Sequence, residues 1–235
     1  MKVNLHFHTK EDKEDNGKKS IVSYDLFEGL DKAKECGFKI LAVTCHNFVV
    51  TEKKYYDYAQ KIGILLIPGI EKTIEKKHVL IINAEKSAEN IKTFKDLQNY
   101  KKNYSECLII APHPFFIIGK SLGKKLIENI NLFDAVEYSW FHFKKLNLNK
   151  KAEKIAQKFN LPLIATSDTH SLNNLPKSYC TLKINDISWK GVKDAILSKN
   201  FKNFSPPQPF FSFETWNWLP TIKKIQKIIS KLFKI

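Results

Sequence analysis

The sequence predicts an α/β fold, a closed or nearly closed barrel of about seven strand–helix units followed by a separate carboxyl-terminal helix. Three observations carry that prediction. Short apolar runs alternate with stretches of helical periodicity from Lys2 to about Asn203, as strands do when crossover helices join them into a mostly parallel sheet. Histidines and carboxylates fall at or just beyond the ends of these runs, and barrels of this class carry their chemistry at the carboxyl ends of the strands. A proline-rich break, Ser205-Pro206-Pro207-Gln208-Pro209, then ends the alternation.

Val3 to Thr9 reads as the first strand. Side chains two apart on a strand share a face, so His6 and His8 reach toward one point, as a metal clamp requires. Lys10 to Ser20 is a polar loop containing Asp12 and Asp15. Ser23-Tyr24-Asp25-Leu26-Phe27-Glu28 is a capped helix start, with Leu26, Leu30 and Ala33 on one face and a stop at Gly37. Phe38 to Thr44 is the second strand and ends in Cys45-His46-Asn47. A helix from about Glu52 to Lys61 leads to a strand at Ile64 to Ile67 and then to Pro68-Gly69-Ile70-Glu71. His78 to Ile82 is a strand, and Ile91 to Asn103 a helix. Leu108-Ile109-Ile110-Ala111 is a buried strand that runs into Pro112-His113-Pro114. Ser121 to Asn129 is helix, Ala135 to Tyr138 strand and Asn149 to Phe159 helix. Leu163 to Thr166 is a strand opening onto Ser167-Asp168-Thr169-His170, and Tyr179 to Ile184 and Trp189 to Ser198 supply the last strand and helix.

Three segments are expected: a barrel over 1–204, a Pro- and aromatic-rich linker over 205–218, and a basic amphipathic helix over 219–235. In the last, Ile222, Ile225, Ile228, Ile229, Leu232 and Phe233 recur at helix spacing with lysines on the other face. This helix is expected to pack its apolar stripe on the barrel. The alternative is peripheral docking on an anionic membrane or a partner protein.

Composition narrows the function classes. The formal charge of +15 invites a polyanion, but all 39 basic residues are lysine. Arginine is the usual choice for bidentate contacts to phosphate and guanine, so its absence argues against sequence-specific DNA reading. Five of the lysines lie in 219–235 with no acid beside them, leaving the remainder only moderately basic. The four cysteines are widely spaced with no Cys-x-x-Cys pair, which indicates neither a zinc finger nor a disulfide framework and fits reduced thiols. No apolar run approaches the roughly 18 residues of a spanning helix, and a cytoplasmic location is expected.

The polar groups at strand ends are His6, His8, His46, Glu71, His78, His113, Asp168 and His170, with Asp12 or Asp15 nearby. Imidazoles mixed with carboxylates and without thiolates suit zinc, manganese or iron. Nine ligands exceed what one ion takes, so two or three divalent ions sharing a bridging carboxylate are expected.

Five stretches resemble, in order, the signatures of the polymerase and histidinol phosphatase (PHP) family of metal-dependent phosphoesterases: His6-Phe7-His8-Thr9, Thr44-Cys45-His46-Asn47, Gly69-Ile70-Glu71, Ala111-Pro112-His113-Pro114 and Ser167-Asp168-Thr169-His170. The resemblance runs from Lys2 to about Asn203 and implies a distorted (β/α)7 barrel with three metals at the carboxyl ends of its strands. It implies one ion on His6, His8, Glu71 and Asp168, and a second on Glu71, His78 and His113. A third would sit on His46 and His170 with Asp12 or Asp15. Cys45 departs from the family, where aspartate is common. His142 matches no ligand motif and is read as structural or substrate-contacting, with the structural role preferred.

The implied chemistry is hydrolysis of a phosphomonoester or phosphodiester. Ions bridged by Glu71 would activate a hydroxide for in-line attack, with the leaving oxygen stabilised by the third ion or protonated by His170 where that residue is not itself a ligand. The substrate is expected to be a phosphorylated small molecule or nucleotide, with Lys10 or Lys177 near the phosphate. The alternatives are an exonuclease acting on nucleic-acid ends and a non-catalytic RNA-binding module.

Overall fold

A computed structural model describes residues 1–12, 22–116, 119–144 and 147–209. Strands β1 (Lys2–Phe7), β2 (Ile40–Val43), β3 (Leu65–Ile74), β4 (Lys77–Ile82), β5 (Leu108–Ala111), β6 (Ala135–Ser139), β7 (Leu163–Thr166), β8 (Tyr179–Leu182) and β9 (Phe201–Phe204) form one sheet. The helices are α1 (Leu26–Glu35), α2 (Lys53–Lys61), α3 (Phe94–Asn103), α4 (Lys124–Glu128), α5 (Lys150–Lys158) and α6 (Trp189–Leu197). The strand order is β7-β6-β5-β4-β3-β2-β1-β8-β9.

This is the predicted α/β architecture with two corrections. The sheet has nine strands, where the sequence reads as about seven strand–helix units and eight strands, Phe201–Phe204 being the one not foreseen. It is also mixed: β1–β2, β2–β3, β5–β6 and β6–β7 are parallel, whereas β3–β4, β4–β5, β1–β8 and β8–β9 are antiparallel. The first reversal arises because β3 does not stop at Pro68-Gly69. It continues to Ile74 and turns through Glu75 and Lys76, both with positive φ, into β4. Gly69 permits that continuation, since a Cβ there would stand 2.9 Å from Thr44 Cγ2 and 3.2 Å from the carbonyl oxygens of Val43 and Ile81.

The two edges of the sheet curl together into a nearly closed barrel. The residues after β7 pair with the end of β1: His8 N donates to Thr169 O at 3.2 Å and Thr169 N to His6 O at 3.3 Å. On β9, the Asn203 side chain accepts from Ala165 N at 2.9 Å and donates to Leu163 O at 2.8 Å, satisfying the open edge of β7. Val3, Ile40, Ala42, Ile67, Leu80 and Ile110 fill the interior, and Leu41 and Val43 face outward onto Leu26 and Leu30 of α1. Both faces of the central strands are therefore buried, as the near-continuous apolar runs require.

β1 contains the feature that places the candidate site. Val3 pairs with Ile40, both inward, but Phe7 pairs with Val43, both outward, and the register shifts between Asn4 and Phe7. Strict alternation would have turned Phe7 inward and the histidines out. The bulge reverses the phase, so Val3 and Leu5 fill the interior while His6 and His8 also face it. The freed amides are satisfied locally: His6 N donates to Asn4 Oδ1 at 3.1 Å and Phe7 N to Thr44 Oγ1 at 3.0 Å.

After β9 the described part of the expected linker lies against the loop that follows β6. Gln208 N donates to His142 O at 2.7 Å, and His142 Nε2 meets Ser205 O at 3.1 Å. The segment 210–235, with its expected helix, lies outside the described residues. Among the described residues no helix is long and apolar enough to cross a membrane.

Candidate metal centre

At the mouth of the barrel the predicted residues converge on Glu71, which is buried and sits mid-strand in β3 rather than at a strand end. Its two oxygens face different partners. Oε1 lies 2.8 Å from His78 Nδ1 and 3.0 Å from His113 Nε2. Oε2 lies 3.4, 3.3 and 2.9 Å from the Nε2 atoms of His6, His8 and His46. Asp168 Oδ1 stands 3.3 Å from His6 Nε2 and 3.4 Å from His8 Nε2.

Each residue arrives by a definite route. His78 is the second residue of β4, and because β4 runs opposite to β3 its amino end, not its carboxyl end, reaches the mouth. His46 is held beside Glu71 by the hydrogen bonds Glu71 N to Cys45 O at 3.2 Å and Asn47 N to Glu71 O at 3.1 Å. His113 and Asp168 follow β5 and β7 with φ of 28° and 44°, left-handed values that non-glycine residues adopt at a cost and that often mark functional loops. His170 is half-buried, stacks on His8 at 4.2 Å, and directs Nδ1 to Asp168 O at 3.1 Å.

Asp12 sits between two of the imidazoles. Its Oδ1 lies 3.1 Å from His8 Nδ1 and accepts from His46 N at 2.7 Å, while Oδ2 lies 3.0 Å from His46 Nδ1. Asp15, the other candidate in that loop, lies outside the described residues. Cys45 is buried with its Sγ 3.1 Å from Thr9 Oγ1, and burial pushes its thiol up to about 12. Lys10 pairs with Asp25 at 3.2 Å, and Lys177 donates to Asn174 Oδ1 at 2.9 Å while lying over the Trp140 ring. His142 meets Tyr138 edge-on and holds Ser205, away from the cluster.

One residue of the cluster escaped the sequence reading. Glu137 on β6 is buried, and its Oε2 lies 2.8 Å from His6 Nδ1. The signal was an acid inside the apolar strand Ala135-Val136-Glu137-Tyr138, on the inward phase set by Ala135. A buried carboxylate needs a partner, and such a residue in a strand interior marks one.

The electrostatics are those of carboxylates and imidazoles confined together. Burial would raise the carboxyls of Glu71 and Asp168, but the surrounding histidines outweigh it and hold both well below the usual range. Burial disfavours the His6 cation, yet Asp168, Glu71 and Glu137 raise it to about 10; His46 rises to about 9 through Glu71 and Asp12. At His78 burial wins, and the ring is held below its ordinary value.

The donor set fits divalent ions. Among the described residues His6 Nε2, His8 Nε2, His78 Nδ1 and Asp168 Oδ1 are buried and make no well-aligned hydrogen bond, His78 Nδ1 despite its 2.8 Å approach to Glu71 Oε1. Buried polar atoms without partners are costly unless a ligand satisfies them. Two ligand atoms each about 2.05 Å from a tetrahedral ion stand roughly 3.3–3.4 Å apart, and the four separations of His6 and His8 from Glu71 Oε2 and Asp168 Oδ1 are 3.3–3.4 Å. Three groupings have donors close enough to share an ion: His6, His8, Glu71 and Asp168; His46, Glu71 and His78; and His8, Asp12, His46 and His170.

Comparison with known proteins agrees with the fold. A family profile described as PHP-associated matches residues 147–200. A two-domain protein from Bacteroides vulgatus, containing a predicted PHP-like metal-dependent phosphoesterase, superposes with a TM-score of 0.67 at 18% identity, over 86% of this chain and 64% of its own. PsfC from Pseudomonas syringae superposes at 0.59 and 13% identity over 97% of this chain and 98% of its own. A lesion-specific endonuclease from Pyrococcus furiosus superposes at 0.58 and 16% identity over 86% of this chain and 57% of its own. This chain thus spans under two thirds of the length of the first and third of these proteins. No curated protein matches by sequence.

Proposed function

The chain has the PHP fold, and from that premise we propose that it is a metal-dependent phosphoesterase, hydrolysing a phosphomonoester or phosphodiester at a centre of two or three divalent ions. The observation that carries this reading is the division of Glu71, whose two oxygens each face a separate set of imidazoles. Bound there, zinc, manganese or iron would supply Lewis acidity toward a phosphoryl oxygen and lower the pKa of a water. Among the chain's own residues, Glu71 would be shared between the ions, His6, His8 and Asp168 would hold one side, and His78 and His113 would hold the other. His46 and His170, with Asp12, offer the place for a third ion. In a two-ion centre His170 instead holds a proton for the leaving oxygen at Nε2, its Nδ1 being engaged by Asp168.

One structural neighbour is an endonuclease, so the substrates proposed include nucleic-acid phosphodiesters and nucleotides beside small phosphate esters. The test is metal content by mass spectrometry on protein purified without chelator, together with hydrolysis of a panel of phosphate monoesters, diesters and oligonucleotides. About two to three equivalents of metal, lost with activity in Glu71→Ala, are expected. Protein that binds under half an equivalent, is not restored by added metal and leaves the panel intact would overturn the proposal.

A further inference from the structure

We infer that the ions of this centre are held unequally: the ion on the Oε2 side of Glu71, among His6, His8 and Asp168, is tight and resident, whereas the ion on the Oε1 side, between His78 and His113, is weak and exchangeable, and Glu137 is a positioning residue that sets much of the difference. The inference rests on the metal-dependent reading above and adds to it which ion is kept and why.

The asymmetry lies behind the imidazoles. A neutral imidazole can carry its proton on either nitrogen, and only the form with the bare nitrogen toward the ion is a ligand. A carboxylate fixed at the far nitrogen selects that form, locks the ring plane and raises the ligand's basicity. On the Oε2 side every histidine has such a brace. His6 Nδ1 has Glu137 at 2.8 Å, and both residues are wholly buried. In a two-ion centre His8 Nδ1 and His46 Nδ1 share Asp12, at 3.1 and 3.0 Å, leaving all three Nε2 atoms directed at Glu71 Oε2.

Behind His113 and His78, on the Oε1 side, no carboxylate brace stands among the described residues; His46, which can also share an ion with Glu71 and His78, is the one braced ring within reach of that side. His113 presents Nε2 to Glu71, so its ligand form carries the proton on Nδ1; that atom is buried and has no hydrogen-bond partner among the described residues. Binding an ion there therefore leaves a buried donor unsatisfied, a cost the braced side does not bear. His78 presents Nδ1 to Glu71 Oε1 at 2.8 Å, and no ion pair places a carboxylate at its Nε2 among the described residues. Two added carboxylates also place more negative charge behind the first ion than behind the second.

The test uses the full chain, stripped of metal and titrated with zinc against a chromophoric chelator, with bound zinc counted by mass spectrometry. Loss of an outer carboxylate typically changes affinity 10–100-fold, so two affinity classes at least ~100-fold apart are expected. Glu137→Gln, which keeps the volume and one acceptor oxygen, should weaken the tighter class ~10-fold, and Glu137→Ala up to ~100-fold, with the weaker class unmoved. His113→Ala should remove the weaker class alone. Matching near-UV circular dichroism of the metal-free variants excludes a general folding defect, and should Glu137→Ala fail to fold, Glu137→Gln carries the test. A single affinity class in the wild type, wild-type tight binding in folded Glu137 variants, or an equal fall in both classes would overturn the inference. A wild-type chain that binds no zinc would instead overturn the proposed function itself.

Discussion

At the scale of the residue, Glu71 is the hinge of the centre because a single buried carboxylate serves two sets of nitrogens. Glu71→Gln keeps its shape but halves the oxygen donors and removes the charge. The expected result is at most one bound ion and hydrolysis reduced by more than ~100-fold, measured by mass spectrometry and steady-state assay, since even outer-shell changes cost 10–100-fold. Protons and metal compete for the same nitrogens. In the metal-free protein His6 and His46 are raised to about 10 and about 9 by the carboxylates around them. A group raised on folding contributes stability fully below its unfolded value, about 6.5, and loses it as pH climbs through the folded value. Melting in a chelator should therefore fall progressively between about pH 7 and pH 10. With saturating zinc the ion takes the place of those protons, and the slope should flatten over the same range. Equal slopes with and without zinc would show that the imidazoles are not the ligands.

At the scale of the element, β1 must satisfy two demands that a regular strand cannot meet together. It must fill the barrel with Val3 and Leu5 and also turn His6 and His8 to the mouth; the bulge between Asn4 and Phe7 meets both. Phe7, thrown outward, is held by α1, where a Cβ on Gly29 would stand 2.5 Å from its Cζ. Gly29→Ala should therefore destabilise despite alanine's better helix propensity, by about 1–3 kcal/mol for overpacking, read by denaturant unfolding. Because Phe7 lies between the two histidines, the same variant should also weaken metal binding, while a Gly→Ala change of similar energetic cost away from β1 should not. α1 is otherwise well specified, with Asp25 and Glu28 forming a reciprocal capping box.

At the scale of the whole molecule, the centre draws on β1, β3 and β4 and on the loops after β1, β2, β5 and β7, so metal binding ties distant parts of the chain together. Zinc at 100 times its dissociation constant contributes about 2.7 kcal/mol, which for a chain of this size is a rise of roughly 5–10 °C in the melting temperature over chelated protein. Calorimetry would show it, and an unchanged melting temperature would contradict a structural coupling between centre and barrel. The residue types and order of the centre were legible in the chain, because ligand chemistry restricts each position to histidine or carboxylate and the spacing of a strand puts His6 and His8 together. The strand–helix alternation was legible for the same local reason, hydrophobic periodicity. What the chain alone did not show depends on contacts between distant segments. The reversal of β4 is decided by pairing along the full length of β3, and the phase of β1 by its register against β2. The role of Glu137 follows only from the closure that carries β6 to within hydrogen-bonding distance of a residue 131 positions away. Local sequence determines which groups are available and which segments are strands; only the packed barrel decides which of those groups meet, because burial and register are properties of the pairings and not of any one segment.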